Sequence, residues 1–165
     1  MSRWRPPPEK STAIITRAGY ERLRAEFNDL WKVRRPEVVR ALSEAAAEGD
    51  RSENAEYIYG KKKLREIDRR IRFITKRLES AVVVKQELAA HSEVRFGATV
   101  EVEDENGKQS RYLIVGPDEA APADGRISFQ SPLGRALMKR KVGDVVSVQR
   151  PAGEIEIEIK AISYE

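Results

Sequence analysis

GDRSENAEYIYGKKKLREIDRRIRFITKRLES, residues 49–80, is the stretch on which the fold turns. Within it Tyr57, Leu64, Ile67, Ile71, Ile74 and Leu78 recur at the a and d positions of a heptad, so one apolar seam runs along a helix that begins just past Gly49. Upstream, Tyr20, Leu23, Phe27 and Leu30 repeat at steps of three and four, with Thr16 in position to cap the helix they imply. Pro36 lacks an N–H donor and predicts a kink or local irregularity, and the four-residue steps from Leu30 through Arg34 to Val38 look like a stutter in the heptad. The seam resumes at Val38, Leu42 and Ala45, and Gly49 ends the helix after Glu48. So short a connection forces the two helices antiparallel. The first arm, about 33 residues at roughly 1.5 Å each, reaches on the order of 50 Å. Such a hairpin buries little per residue, so it must lean on something at its base or be held by the seam alone.

Past residue 94 the period changes to two. Val100 and Val102 alternate with Glu101 and Glu103, Asn106-Gly107 is a hairpin-turn signal, and Tyr112 to Val115 reads as the partner strand. Ile127 and Phe129 suggest a third strand, and Ser131-Pro132 opens a short helix to about Met138, with serine as cap and proline at the first helical position. Val145 to Val148 and the strict alternation of Glu154 to Ile159 complete an antiparallel sheet with one helix. The fold class expected is therefore α+β. A disordered tail over 1–13, with Pro6, Pro7 and Pro8 in a row, precedes a coiled-coil hairpin over 14–80, a linker over 81–94 and a sheet domain over 95–165.

Composition excludes several chemistries. The 165 residues include no cysteine and one histidine, His91, so thiolate nucleophiles, Fe–S clusters, cysteine-bound zinc and a Ser-His-Asp triad are ruled out or improbable. Carboxylates, hydroxyls and cations remain, and carboxylates suit hard ions such as Mg²⁺. The net charge of +4 hides two unlike halves: residues 1–85 carry 21 Lys and Arg against 13 Asp and Glu, and residues 86–165 carry 10 against 14. One half is suited to phosphate and the other is not. The chain opens without the apolar core of a signal peptide and has no run long enough to span a bilayer, which points to a cytoplasmic protein.

Two constellations carry chemistry. Asp50 and Glu53, three apart where the second helix begins, fit a capping box, and they also fit a pair of metal ligands. Mg²⁺ takes six oxygens in octahedral geometry, so two carboxylates on an exposed tip hold it well only if another molecule furnishes the rest. Beside them, at 100° per residue, Lys61, Arg65, Arg69, Arg72 and Lys76 fall on the face away from the seam. A phosphate backbone running along that line would deliver its end to the carboxylates.

The tip GDRSENAEY with the KKKLREIDRRIRFITKRLE that follows it, the segment LWKVRRPEV, and SPLGRALMKRKVGDVV resemble the bacterial transcript cleavage factors of the Gre family, over about Ile14 to Tyr164. The resemblance implies a coiled-coil hairpin that enters the secondary channel of RNA polymerase and an FKBP-like C-terminal domain that docks outside it, the factor acting as a monomer. In a backtracked complex the tip then stimulates hydrolysis of the extruded nascent RNA. By the same resemblance Asp50 and Glu53 help hold a second Mg²⁺ shared with the polymerase, Lys61, Arg65, Arg69 and Arg72 steer the RNA 3′ segment, and Gln130, Ser131 and Pro132 mark the docking edge. The factor would be no enzyme itself. Gly60 inside the second helix and Gln130, where an acid is expected, depart from the pattern. A channel-binding regulator without cleavage is the alternative reading. A prolyl isomerase is disfavoured, because the C-terminal half has too few aromatic residues to line a proline pocket.

Overall fold

The computed structural model describes residues 13–48, 54–84 and 92–164. All of the expected tail but Ala13 lies outside them, as do Asp50, Glu53, His91 and residues 85–91 of the expected linker. The chain forms two compact units, one over Ala18–Ala81 and the other joining the segment up to Arg17 with the chain from Val82 onward.

The first unit is the hairpin. Helix α1 (Arg17–Asp29) passes into a π-helical segment, Leu30–Arg34, and then into α2 (Arg35–Ala47); α3 (Ala55–Ser80) returns antiparallel to them. Leu23, Leu30, Val38 and Ala45 are buried on one arm and Ile67, Ile71 and Ile74 on the other, while Tyr57, Leu64 and Leu78 are half-buried at the same seam. The four-residue steps begin in the π segment, and Pro36 follows it by two residues, in the first turn of α2. Proline has no N–H to return to the carbonyl four residues back and its ring crowds that carbonyl. The helix widens instead, and Arg35 N–H donates to the Leu30 carbonyl five residues back. At 100° per residue Val38 would sit about 80° beyond Leu30. The slower turn of the π segment removes most of that offset, so both side chains are buried while Arg34 between them is exposed. Ion pairs flank the seam: Arg35 Nε donates to Asp68 at 2.9 Å, and Arg70 grips Glu26 with two hydrogen bonds of 2.7 and 2.9 Å.

The second unit begins before the hairpin. Ile14–Ile15 is a short strand, β1, that pairs in parallel with β2 (Val82–Val83), directly after α3. Thr16, just ahead of α1, donates its hydroxyl to Glu119. The main sheet has five strands, β3 (Thr99–Asp104), β4 (Gln109–Val115), β5 (Arg126–Ser128), β6 (Val145–Arg150) and β7 (Gly153–Ser163), in the order β5-β4-β3-β7-β6. The sheet is not wholly antiparallel as expected, because β5 runs parallel to β4. The chain between them crosses through two short 3-10 turns, Pro117–Glu119 and Pro122–Asp124, and so arrives at the edge in the same direction. Gly107 supplies the positive φ of the β3–β4 turn, and the Asp104 carboxylate accepts from the amides of Asn106 and Lys108 across it. Ile157 and Ile159 of the alternating run point inward with Val100, Val102, Ile114, Val146 and Val148, and Leu137 of helix α4 (Pro132–Leu137) completes the core. Among the described residues no helix is long and apolar enough to cross a membrane.

Candidate functional site

The connection between α2 and α3 is held by Asn54. Its Oδ1 accepts from the Tyr57 amide at 3.2 Å, which caps α3, and its Nδ2 donates to the Ala45 carbonyl at 2.9 Å, near the end of α2. One amide thus caps one helix and adds a donor to a carbonyl in the last turn of the other, which also accepts from the Glu48 amide at 3.3 Å. Asp50 and Glu53 lie outside the described residues, but the cap of the described helix is Asn54, so Asp50 is not needed for that task. Sequence reasoning missed Asn54 because Asp50-x-x-Glu53 is the louder pattern, although asparagine ahead of an apolar helix is itself a capping signal.

From this end a line of cations runs along α3. Lys61, Arg65, Arg69 and Arg72 are all exposed, as is Lys76. The Lys61 ammonium sits 5.1 Å from the centre of the Tyr57 ring, a cation–π contact that ties the first cation of the line to the first turn of the helix. Two carboxylates of the hairpin are occupied by other cations, Glu26 by Arg70 and Asp68 by Arg35. Among the described residues no ion pair engages Arg65, Arg69 or Arg72. Eleven residues at 1.5 Å each put Lys61 and Arg72 about 16 Å apart along the helix. The geometry leaves an unneutralised cationic edge that an anionic strand can follow.

The residues expected to dock belong to the sheet unit. The Ser131 hydroxyl caps α4, accepting from the Gly134 amide at 3.0 Å and donating to the Ser128 carbonyl at 2.6 Å. Any side chain at Gly134 would overlap that same Ser128 carbonyl, so glycine is required for the cap to close. With proline at the first position and Gly134 N–H already bound, the helix start has little polar capacity to offer outward. Gln130 keeps its side-chain oxygen buried, with no hydrogen-bond partner among the described residues. Ser131 and Pro132 do border a cavity of about 380 Å³ whose walls include Tyr112, Leu133, Val148 and Ile155. The apolar lining was not foreseen from the sequence, because its members come from four separate elements.

Both halves of the chain match known families. The family described as "Transcription elongation factor, N-terminal" matches residues 13–83, and "Transcription elongation factor, GreA/GreB, C-term" matches residues 89–164. A protein described as transcription elongation factor GreB from Xanthomonas axonopodis pv. citri is 57% identical over 165 residues, covering 99% of this chain and 98% of its own length. The GreB of Pseudomonas aeruginosa is 58% identical over 93% of this chain and 92% of its own length, and that of Haemophilus influenzae 52% identical over 92% and 96%. Among solved structures, GreA factor homolog 1 (Gfh1) of Thermus thermophilus is 30% identical over 91% of this chain and 97% of its own, with a TM-score of 0.42. With its helical half and its sheet half each matched, and relatives more than half identical along nearly the whole length, the chain belongs to the GreA/GreB family of transcription elongation factors.

Proposed function

We propose that this chain restarts RNA polymerase that has backtracked, by stimulating the polymerase's own hydrolysis of the extruded nascent RNA. The sheet unit docks on the polymerase through the apolar cavity beside Pro132, and the hairpin enters the secondary channel. The observation that carries the reading is the exposed line of Lys61, Arg65, Arg69 and Arg72 on α3, which starts seven residues past the Asn54 cap. Phosphates laid along that line displace counterions one after another, and the strand's end is led toward Asp50 and Glu53.

Those two carboxylates are hard oxygen donors of the kind Mg²⁺ takes, and they fill two of its six positions. The remainder must come from the polymerase, so the chain holds no ion alone and is not itself an enzyme. When bound, the ion activates water and offsets charge on the phosphate under attack. The chain's own contribution is to bring two carboxylates and a cationic path to a centre that lacks them.

The test is a stalled, backtracked elongation complex with labelled RNA resolved on a gel. Wild-type protein shortens the RNA at its 3′ end, while Asp50→Asn and Glu53→Gln cut the rate by orders of magnitude and still compete for the polymerase. A wild-type chain that binds and leaves the RNA intact would make it a channel-binding regulator without cleavage.

A further inference from the structure

We infer that Glu119 is a positioning residue for this activity, holding the strand from which the hairpin grows. The inference rests on the cleavage reading above.

Glu119 ends the turn after β4 and is only 6% exposed. Its Oε2 accepts from the amides of Gly116 at 3.0 Å and Thr16 at 2.9 Å, and its Oε1 accepts from the Thr16 hydroxyl. The Gly116 bond is local; the two from Thr16 cross 103 positions of sequence. A carboxyl group so deeply buried needs donors that converge on it, and two of them here belong to one distant residue. The surroundings agree. A Cβ at Gly116 would overlap the Ile14 carbonyl oxygen, so the glycine leaves room for β1 to lie against the turn.

The position of Thr16 gives the contact its consequence. Thr16 lies between β1 and Arg17, the first residue of α1, and Val82 follows α3 after a single residue, Ala81. Val82 N–H donates to the Ala13 carbonyl at 2.6 Å and Val84 N–H to the Ile15 carbonyl at 3.1 Å, so the entering and leaving segments are bonded to each other. Two residues per strand are too few to stay paired on their own. Glu119 fastens one of the pair to the sheet unit, and through it the other. With that root loosened, docking still occurs, but the tip samples more positions, and fewer of them place its carboxylates for reaction.

Three variants of the full chain test this: Glu119→Ala, which removes the acceptor of the Gly116 and Thr16 bonds; Thr16→Val, which removes one hydroxyl and keeps the shape; and Thr16→Ser, which keeps the hydroxyl. The first readout is amide hydrogen exchange. Val82 and Val84 should exchange faster in Glu119→Ala and Thr16→Val and at the wild-type rate in Thr16→Ser, while amides of the core strands β3 and β7 stay protected in all. The second is cleavage as a function of protein concentration. The rate at saturation should fall about 10-fold in Glu119→Ala and less in Thr16→Val, with the half-saturating concentration within about twofold of wild type, and Thr16→Ser should restore it. Unchanged exchange at Val82 and Val84, or faster exchange with a wild-type saturating rate, overturns the inference. A general loss of core protection in Glu119→Ala transfers the decision to Thr16→Val, which leaves the carboxylate in place. If the wild-type chain stimulates no cleavage, the function and this role fall together, and the exchange data still report whether the clamp exists.

Discussion

Asn54 couples two helix ends with one amide, and the consequence can be measured. Asn54→Asp keeps an acceptor for the Tyr57 amide and loses the donor to Ala45; Asn54→Ala loses both. Removing a cap costs about 1 kcal/mol and a net hydrogen bond about as much, so Asn54→Ala should destabilise the protein by about 2 kcal/mol and Asn54→Asp by about half that. Denaturant unfolding checks the order, and cleavage should fall in the same order if the loop carrying Asp50 and Glu53 must be held from both ends. Equal stability of all three proteins would mean that neither bond contributes. At this scale the sequence is legible only where partners are close. A serine ahead of proline announced the cap of α4, whereas nothing in the neighbourhood of Glu119 marks a partner 103 positions away.

The helices were readable because a seam of fixed period survives any detail of packing. Even the irregularity was marked: the run of four-residue steps begins in the π segment and Pro36 follows two residues after it, since a missing N–H and an extra residue per turn are both written locally. β1 was not readable, because two isoleucines before a helix carry no period and their strand character depends on Val82 and Val83. The parallel β4–β5 pair was hidden for a similar reason: direction is set by the crossover, not by alternation. Between α1 and α3 the Arg70 hydrogen bonds hold the Glu26 carboxyl below its ordinary pKa of 4.5, against a smaller opposing effect of burial. A depressed carboxylate pKa stabilises the fold above the unfolded value and ceases to do so as pH falls through the folded one. The stability difference between wild type and Glu26→Gln should therefore be constant near neutral pH and vanish on acidification below about pH 4. Both partners are substantially exposed, so its plateau should be no more than about 1 kcal/mol and should shrink in high salt. Thermal unfolding of both proteins from pH 7 to 3 decides it, and a difference that grows toward low pH would contradict the assignment.

Across the whole molecule, the split in charge corresponds to a split in construction, a cationic hairpin and an acidic sheet, each with its own core. Charge and period together made that division visible without coordinates. What they could not reveal is that the sheet unit reclaims the chain on both sides of the hairpin, through β1 and β2. Paired strands lie about 4.8 Å apart. The whole of α1 to α3 therefore leaves and re-enters at neighbouring points, as an interchangeable cassette does. Its length is free to change without disturbing the socket. Deleting one heptad from each arm, at matched levels, should leave the sheet unit's amide spectrum and its competition for polymerase intact while shortening the arm by about 10 Å. Cleavage should then be lost although every acid and every cation of the tip is still present. The hairpin would be a ruler cut to the depth of its channel, and chains with longer or shorter cassettes on the same socket would be expected to act at different depths.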